Sequence, residues 1–99
     1  MYYQNIIQNL PPLPEKFDFT VYIKSGCSYC IQVKNLLTMM NLKTRYINID
    51  AYIITPQSKE NFFNFIEELT GKKYRTFPIV FFDGDFIGGY NETKWFVSN

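Results

Sequence analysis

Phe17, Phe19, Val21 and Ile23 alternate with Asp18, Thr20 and Tyr22, and after Lys24-Ser25-Gly26 the chain enters Cys27-Ser28-Tyr29-Cys30. The period of two predicts a strand with one buried face. Directly after the cysteines, Val33, Leu36, Leu37 and Met40 recur at helical spacing, and the helix they predict ends near Asn41, a residue that tolerates the left-handed conformation. Alternation returns from Thr44 to Asp50. A strand, a helix and a second strand joined by short turns form a parallel crossover. The chain is thereby committed to an α/β fold in which a CxxC pair opens a helix.

The remaining segments extend this unit. Ile6, Ile7 and Leu10 have helical spacing, and Leu10 to Pro14 (LPPLP) breaks whatever precedes it, so residues 1–14 are expected to be an N-terminal helix and a proline-rich lead-in. A loop over Ala51 to Thr55 should lead to Pro56 in the first turn of a helix with Phe62, Phe65, Ile66 and Leu69 on its apolar face and Gly71 at its end. Phe77 to Phe82 reads as a strand, Asp83-Gly84 as a two-residue hairpin and Asp85 to Ile87 as the returning strand. Gly88-Gly89 then breaks the pattern, and Asn91 is expected to cap a final helix through Phe96. The predicted order is αβαβαββα: a four-stranded mixed β-sheet flanked by helices, within a single domain over residues 1–99.

Composition removes several classes of function. A chain that is 46% hydrophobic is too apolar to be disordered, and ten Lys plus Arg against nine Asp plus Glu leave no charge surplus with which to hold nucleic acid or an anionic membrane. No apolar run approaches the roughly 18 residues of a membrane span, and the start MYYQNIIQNL has no basic and apolar leader pattern, so the protein is expected to be soluble and unexported. It has no His and only two Cys. That excludes a His general base and a zinc site with four Cys or His ligands from one chain. One closely spaced pair also differs from the four or more Cys of a secreted disulfide framework, which points to a redox role in the cytoplasm.

A thiol attacks only as thiolate, and an ordinary Cys, with a pKa of about 8.5, is mostly protonated at neutral pH. Cys27 stands where a strand ends and a helix begins, so unpaired N–H groups and the positive end of the helix dipole favour its anion. Cys30, about one turn further along, is close enough to form a small disulfide and more shielded. Cys27 is therefore the expected attacker and Cys30 the resolver. The competing readings are half of an intermolecular metal site, or two core cysteines that happen to be adjacent. The strand–helix–strand context without other Cys or His favours the redox pair. Lys24 is either a cation that assists Cys27 or a solvated residue at a strand end.

Taken together, Tyr22-Ile23-Lys24-Ser25-Gly26-Cys27-Ser28-Tyr29-Cys30, Leu69-Thr70-Gly71, Arg75-Thr76-Phe77-Pro78 and Ile87-Gly88-Gly89 resemble the glutaredoxin family in order and spacing, over about residues 17–95. The resemblance implies a thioredoxin fold, with a shortened C-terminal helix, and a glutathione-dependent thiol-disulfide oxidoreductase of the dithiol type. It implies that Pro78 is a cis-proline facing Cys27 and that the backbone of Phe77, in the Thr76-Phe77-Pro78 turn, pairs with the cysteinyl part of glutathione. It further places the glycyl carboxylate near Lys24 and Arg75, the γ-glutamyl carboxylate at the N–H groups of Tyr90 and Asn91 after Gly89, and Tyr29 along the groove. For Arg75, beside Lys72 and Lys73, a solvated basic turn is the alternative.

The chain also departs from the family pattern. Phe63 stands where many relatives carry a glutamine that touches the glycyl carboxylate, a contact that Lys72 or Lys73 would have to replace. The link from Lys72 to Tyr74 is longer than usual, and Trp95 with Phe96 is expected to complete the core. Ser28 replaces the common proline between the cysteines. Some family members with a small residue there, including some with Cys-Ser-Tyr-Cys, bridge a [2Fe-2S] cluster between two subunits through the first Cys and bound glutathione. A cluster-bridged dimer through Cys27 is thus one alternative, and a thioredoxin-like protein disulfide reductase is another. The expected partners are glutathione and disulfide-bonded or glutathionylated proteins, ribonucleotide reductase being among the compatible ones, with no nucleic acid or membrane and a monomer in the absence of a cluster.

Overall fold

The computed structural model describes residues 10–99. The expected N-terminal helix lies outside them except for Leu10, and Leu10 to Pro14 is an irregular lead-in. Strand β1 (Phe19–Ile23), helix α1 (Ser28–Met39) and strand β2 (Thr44–Asn48) come first; helix α2 (Pro56–Thr70), strands β3 (Ile79–Phe82) and β4 (Asp85–Gly88) and helix α3 (Tyr90–Ser98) follow. The sheet order is β2-β1-β3-β4. β1 runs parallel to β2, with Phe19 opposite Thr44, and antiparallel to β3, while β3 and β4 form the hairpin with a register irregularity at Val80/Phe81. This is the mixed sheet of the thioredoxin fold.

Two apolar clusters occupy the two faces of the sheet. Tyr22, Ile47, Ile79 and Phe81 pack with Phe62, Phe63 and Ile66 of α2, and Phe19, Val21 and Val80 pack with Val33 and Leu37 of α1. Consequently β1 buries both faces, and Phe19, Thr20, Val21 and Tyr22 are all within 3% of full burial. The expectation of one buried face fails because β1 is central and helices cover both sides. Its polar groups are satisfied by the lead-in: Glu15 N–H donates to Thr20 Oγ1 at 2.8 Å, and the Tyr22 hydroxyl donates to Pro12 O at 2.6 Å. Phe17, expected in the strand, precedes it in a left-handed conformation and is exposed.

Local chemistry explains most element ends. Asn41 adopts φ 56° just after α1. Thr55 and Ser58 form a reciprocal capping box at the start of α2 with Pro56 at its first position, and Gly71 ends the helix with φ 73°. The second strand stops earlier than expected. Asn48 Oδ1 accepts from Asp50 N–H at 2.8 Å, which turns the chain into a short 3-10 helix, Asp50–Tyr52, where a plain loop is expected. The cap of α3 is Gly89 and not Asn91; Glu92 Oε1 accepts from Gly89 N–H at 2.8 Å. Trp95 does not complete the core, being 69% exposed, whereas Thr93 is fully buried; Phe96 reaches only the edge, against Phe19 and Phe82.

Candidate active site

Gly26 takes φ 72° at the end of β1, a conformation that costs a residue with a Cβ, and delivers Cys27 as the N-cap of α1. An N-cap side chain accepts from an otherwise unpaired N–H of the first helical turn. Here the acceptor is sulfur: Cys30 N–H donates to Cys27 Sγ at 3.2 Å. The two cysteines are disulfide-bonded with Cα atoms 5.2 Å apart. Cys27 is partly exposed and Cys30 only 4% exposed. That asymmetry is what an attacking thiol and a shielded resolving thiol require.

The segment before the thiol is clamped. Asp50 accepts from Ser25 N–H at 3.1 Å and from the Ser25 hydroxyl. The Ser25 hydroxyl, then its backbone N–H and the charge of Lys24, hold the Asp50 carboxyl below its usual range. Neither Ser25 nor Asp50 stood out in the sequence, because the contact joins residues 25 apart.

An open cleft of about 420 Å³ is lined by Tyr29, in the first turn of α1, and by Thr76, Phe77, Gly89, Tyr90 and Asn91, together with Tyr74 and Glu92. Six of the expected site residues are thus brought to one cleft. Tyr29 and Tyr90 stack across it, 5.9 Å between centroids. Glu92 lacks the usual capping signature, because the residue three before it is Gly89 and not Ser, Thr, Asp or Asn. Tyr74 carries no local signal. Lys24, Cys27 and Cys30 border a second groove of about 280 Å³ with Ile31 and Lys34.

Two expected residues line neither space. Pro78 is buried behind the cleft, and the Phe77–Pro78 peptide bond is cis, the isomer implied by the resemblance. Arg75 lies with its guanidinium 4.5 Å from the centroid of the Phe63 ring and donates to Glu60 Oε1 at 3.3 Å. Lys24 Nζ lies 5.3 Å from the centroid of Phe77. Lys72 and Lys73 are exposed. Phe63, counted in the sequence as a departure and not as core, is 5% exposed and offers no hydrogen bond to a ligand.

A [2Fe-2S] cluster needs four ligands, Cys thiolates in the ordinary case and two His beside two Cys in the Rieske type. No group of three His, Cys, Asp or Glu able to hold a metal ion occurs among the described residues, and the two thiols of one chain cannot complete such a set. One chain alone does not fit the cluster.

Comparison with known proteins agrees with this geometry. A bovine "Glutaredoxin-2, mitochondrial" is 34% identical over 73 residues, which are 74% of this chain and 43% of the relative. The chain thus spans less than half the length of that protein. "Glutaredoxin 1" of Escherichia coli is 28% identical over 85 residues, covering 80% of this chain and 92% of the relative. A buckwheat glutaredoxin-glutathione complex, 24% identical, superimposes with a TM-score of 0.64 over 98% of this chain and 76% of that one. The glutaredoxin family profile matches residues 19–87. With strand β1, the Cys27–Cys30 helix start, the cis-proline turn and all of the hairpin but Gly88 inside that match, the chain belongs to the glutaredoxin family.

Proposed function

We propose that this chain is a glutathione-dependent thiol-disulfide oxidoreductase, with Cys27 as nucleophile and Cys30 as resolving thiol. The observation that carries the reading is Cys27 at the N-cap of α1, partly exposed and already within bonding distance of a buried second cysteine. In the first step the Cys27 thiolate attacks the glutathionyl sulfur of a protein-glutathione disulfide; the protein sulfur leaves as thiolate and takes a proton from solvent. The mixed disulfide on Cys27 is resolved in one of two ways. A second glutathione thiolate attacks the bound glutathionyl sulfur, giving oxidised glutathione and the Cys27 thiolate. Alternatively Cys30 attacks Cys27 Sγ, releasing glutathione and forming the internal disulfide, which two further glutathione molecules reduce.

In this reading glutathione occupies the cleft along Tyr29, Thr76, Phe77 and Tyr90, and its γ-glutamyl carboxylate meets the N–H groups of Tyr90 and Asn91 at the start of α3. Its glycyl carboxylate lies toward Lys24 and Arg75. The cysteinyl backbone pairs with Phe77, whose position is fixed by the buried Pro78. The protein acts as a monomer in the cytoplasm on disulfide-bonded or glutathionylated proteins, with ribonucleotide reductase as one compatible substrate.

Separate assays of two variants test the assignment. Cys27→Ser should lose glutathione-dependent reduction of every disulfide, whereas Cys30→Ser should keep deglutathionylation and lose the reduction of protein disulfides. Retention of activity by Cys27→Ser would remove the nucleophile assignment. Anaerobic reconstitution with iron, sulfide and glutathione should leave a colourless monomer; a coloured dimer would favour the cluster-bridged alternative suggested by Ser28.

A further inference from the structure

We propose that Phe63 is a positioning residue for substrate binding, its ring seating the Arg75 guanidinium so that this cation is presented to a ligand carboxylate. The proposal rests on the glutathione reading above. An apolar ring cannot itself contact a carboxylate, but it can fix a residue that does. The Arg75 guanidinium lies 4.5 Å from the Phe63 centroid, within cation–π range.

The ring is itself held. Phe63 is 5% exposed and packs edge-on against Phe62 at 5.2 Å and tilted against Phe77 at 6.0 Å. Phe77 in turn carries Lys24 Nζ, 5.3 Å from its centroid. Two touching rings therefore carry the two cations, and the spacing of Lys24 and Arg75 is set by aromatic packing instead of by two free, rotamer-rich side chains. Glu60 occupies only one edge of the guanidinium, through Nη2, and both partners are about half exposed, so an incoming carboxylate can exchange with it. After exchange Arg75 still rests on Phe63. The direct polar contact absent at position 63 is thereby replaced by an indirect one.

Steady-state kinetics with a glutathionylated peptide on the full chain test this through a double-mutant cycle. Arg75→Gln should raise KM. Phe63→Leu, which keeps most of the apolar volume, should raise KM about two- to fivefold, as the loss of an exposed cation–π contact implies, with kcat changing by less than a factor of about two. Phe63→Tyr, which retains the ring, should restore the wild-type KM. Combined with Arg75→Gln, Phe63→Leu should add nothing further.

If Phe63→Leu multiplies KM by the same factor in the Arg75→Gln background, the ring acts through the fold and the proposal is overturned. An unchanged KM in Arg75→Gln overturns it too, while leaving glutathione-dependent turnover by wild type intact. Absence of any glutathione dependence in wild type would instead remove the functional reading together with the proposal. Should Phe63→Leu fail to fold, Phe63→Met takes its place. In either case the NMR signal of the Arg75 Nε–H group in wild type must show the ring-current shift of a guanidinium over an aromatic face; its absence also overturns the proposal.

Discussion

Gly88 and Gly89 adjoin in sequence, yet adding one methyl group to each should have opposite consequences. Gly88 has φ 136°, a conformation almost confined to glycine, and its added Cβ would lie 2.8 Å from both Cβ and Cγ of Glu92 and 3.0 Å from Oε1. Gly88→Ala therefore strains the backbone, at about 1–3 kcal/mol, and pushes away the carboxylate that accepts from Gly89 N–H at 2.8 Å. A lost cap of this kind costs about 1 kcal/mol, and the exposure of Glu92 keeps the loss at that level or below it. The sum is about 2–4 kcal/mol. A domain of this size has about 5–15 kcal/mol in total and loses about 4–8 °C of Tm per kcal/mol, so the melting point should fall by about 8–32 °C.

Gly89 has an ordinary extended backbone, φ -101° and ψ -153°, and its added Cβ would meet chiefly the Tyr74 hydroxyl, at 2.9 Å. That oxygen is the free end of a side chain and can move aside. Gly89→Ala should cost less than about 1 kcal/mol of stability, below the typical point mutation, and still perturb the cleft, because Tyr74 lines it. Urea titrations of both variants measure the stabilities, and KM for a glutathionylated peptide measures the cleft. A Gly88→Ala variant within about 0.5 kcal/mol of wild type at unchanged m-value, the range of a neutral surface substitution, would refute the strain argument. So would a Gly89→Ala variant less stable than Gly88→Ala.

Other expectations concern the lead-in, the core and the clamp. Tyr22→Phe deletes the bond from a fully buried hydroxyl to Pro12 O and should cost about 1 kcal/mol in urea unfolding, with faster proteolysis at residues 10–14. Phe62→Ala removes a ring with 0% exposure and should cost about 3–5 kcal/mol, measured by the same titration. Asp50 has its carboxyl held low by Ser25 and then by Lys24, so the folded state prefers the anion. Its contribution is complete above the unfolded carboxylate value of about 3.9 and is lost as pH falls through the lower folded value. Urea midpoints below about pH 4 should therefore fall more steeply for wild type than for Asp50→Asn, and parallel acid limbs would count against the clamp.

What could be read from the sequence was whatever repeats within one element or sits at its end. The helix read from Val33, Leu36, Leu37 and Met40, though Met40 proves to be its exposed cap, the Asp83-Gly84 hairpin and the stop at Gly71 follow from spacing and from residues whose backbone preferences are strong. The errors arise where a distant segment decides. Thr20 and Tyr22 look like the solvent face of β1, but Glu15 and Pro12 supply their hydrogen bonds and α2 covers Tyr22. Asn91 has the side chain of a good cap, but Glu92 reaches back to Gly89 and starts the helix earlier. Phe63 lies beside Phe62 in sequence and falls outside the apolar stripe read for α2. Phe77 and Arg75, from the far end of the following loop, turn it into core below and a cation seat above.

Absence of His shifts the chemistry of this site from side chains to backbone. With no imidazole to take the thiol proton, stabilisation of a Cys27 anion falls to the first turn of α1, where Cys30 N–H already points at Sγ. An N–H of a helix start does not titrate, so this support is present at every pH at which the helix is folded. Its aim depends on where β1 ends, and that is fixed by the left-handed turn at Gly26 and by the hold of Asp50 on Ser25. Asp50 draws its low pKa from the very groups it clamps, so the carboxylate that orders the loop remains charged at neutral pH. Under the proposed reading, the support given to Cys27 Sγ is set by chain direction before the helix, where Gly26 and the Asp50–Ser25 contact fix the approach. Substitutions that redirect the backbone before Cys27 should alter reactivity more than exchanges of exposed side chains around it.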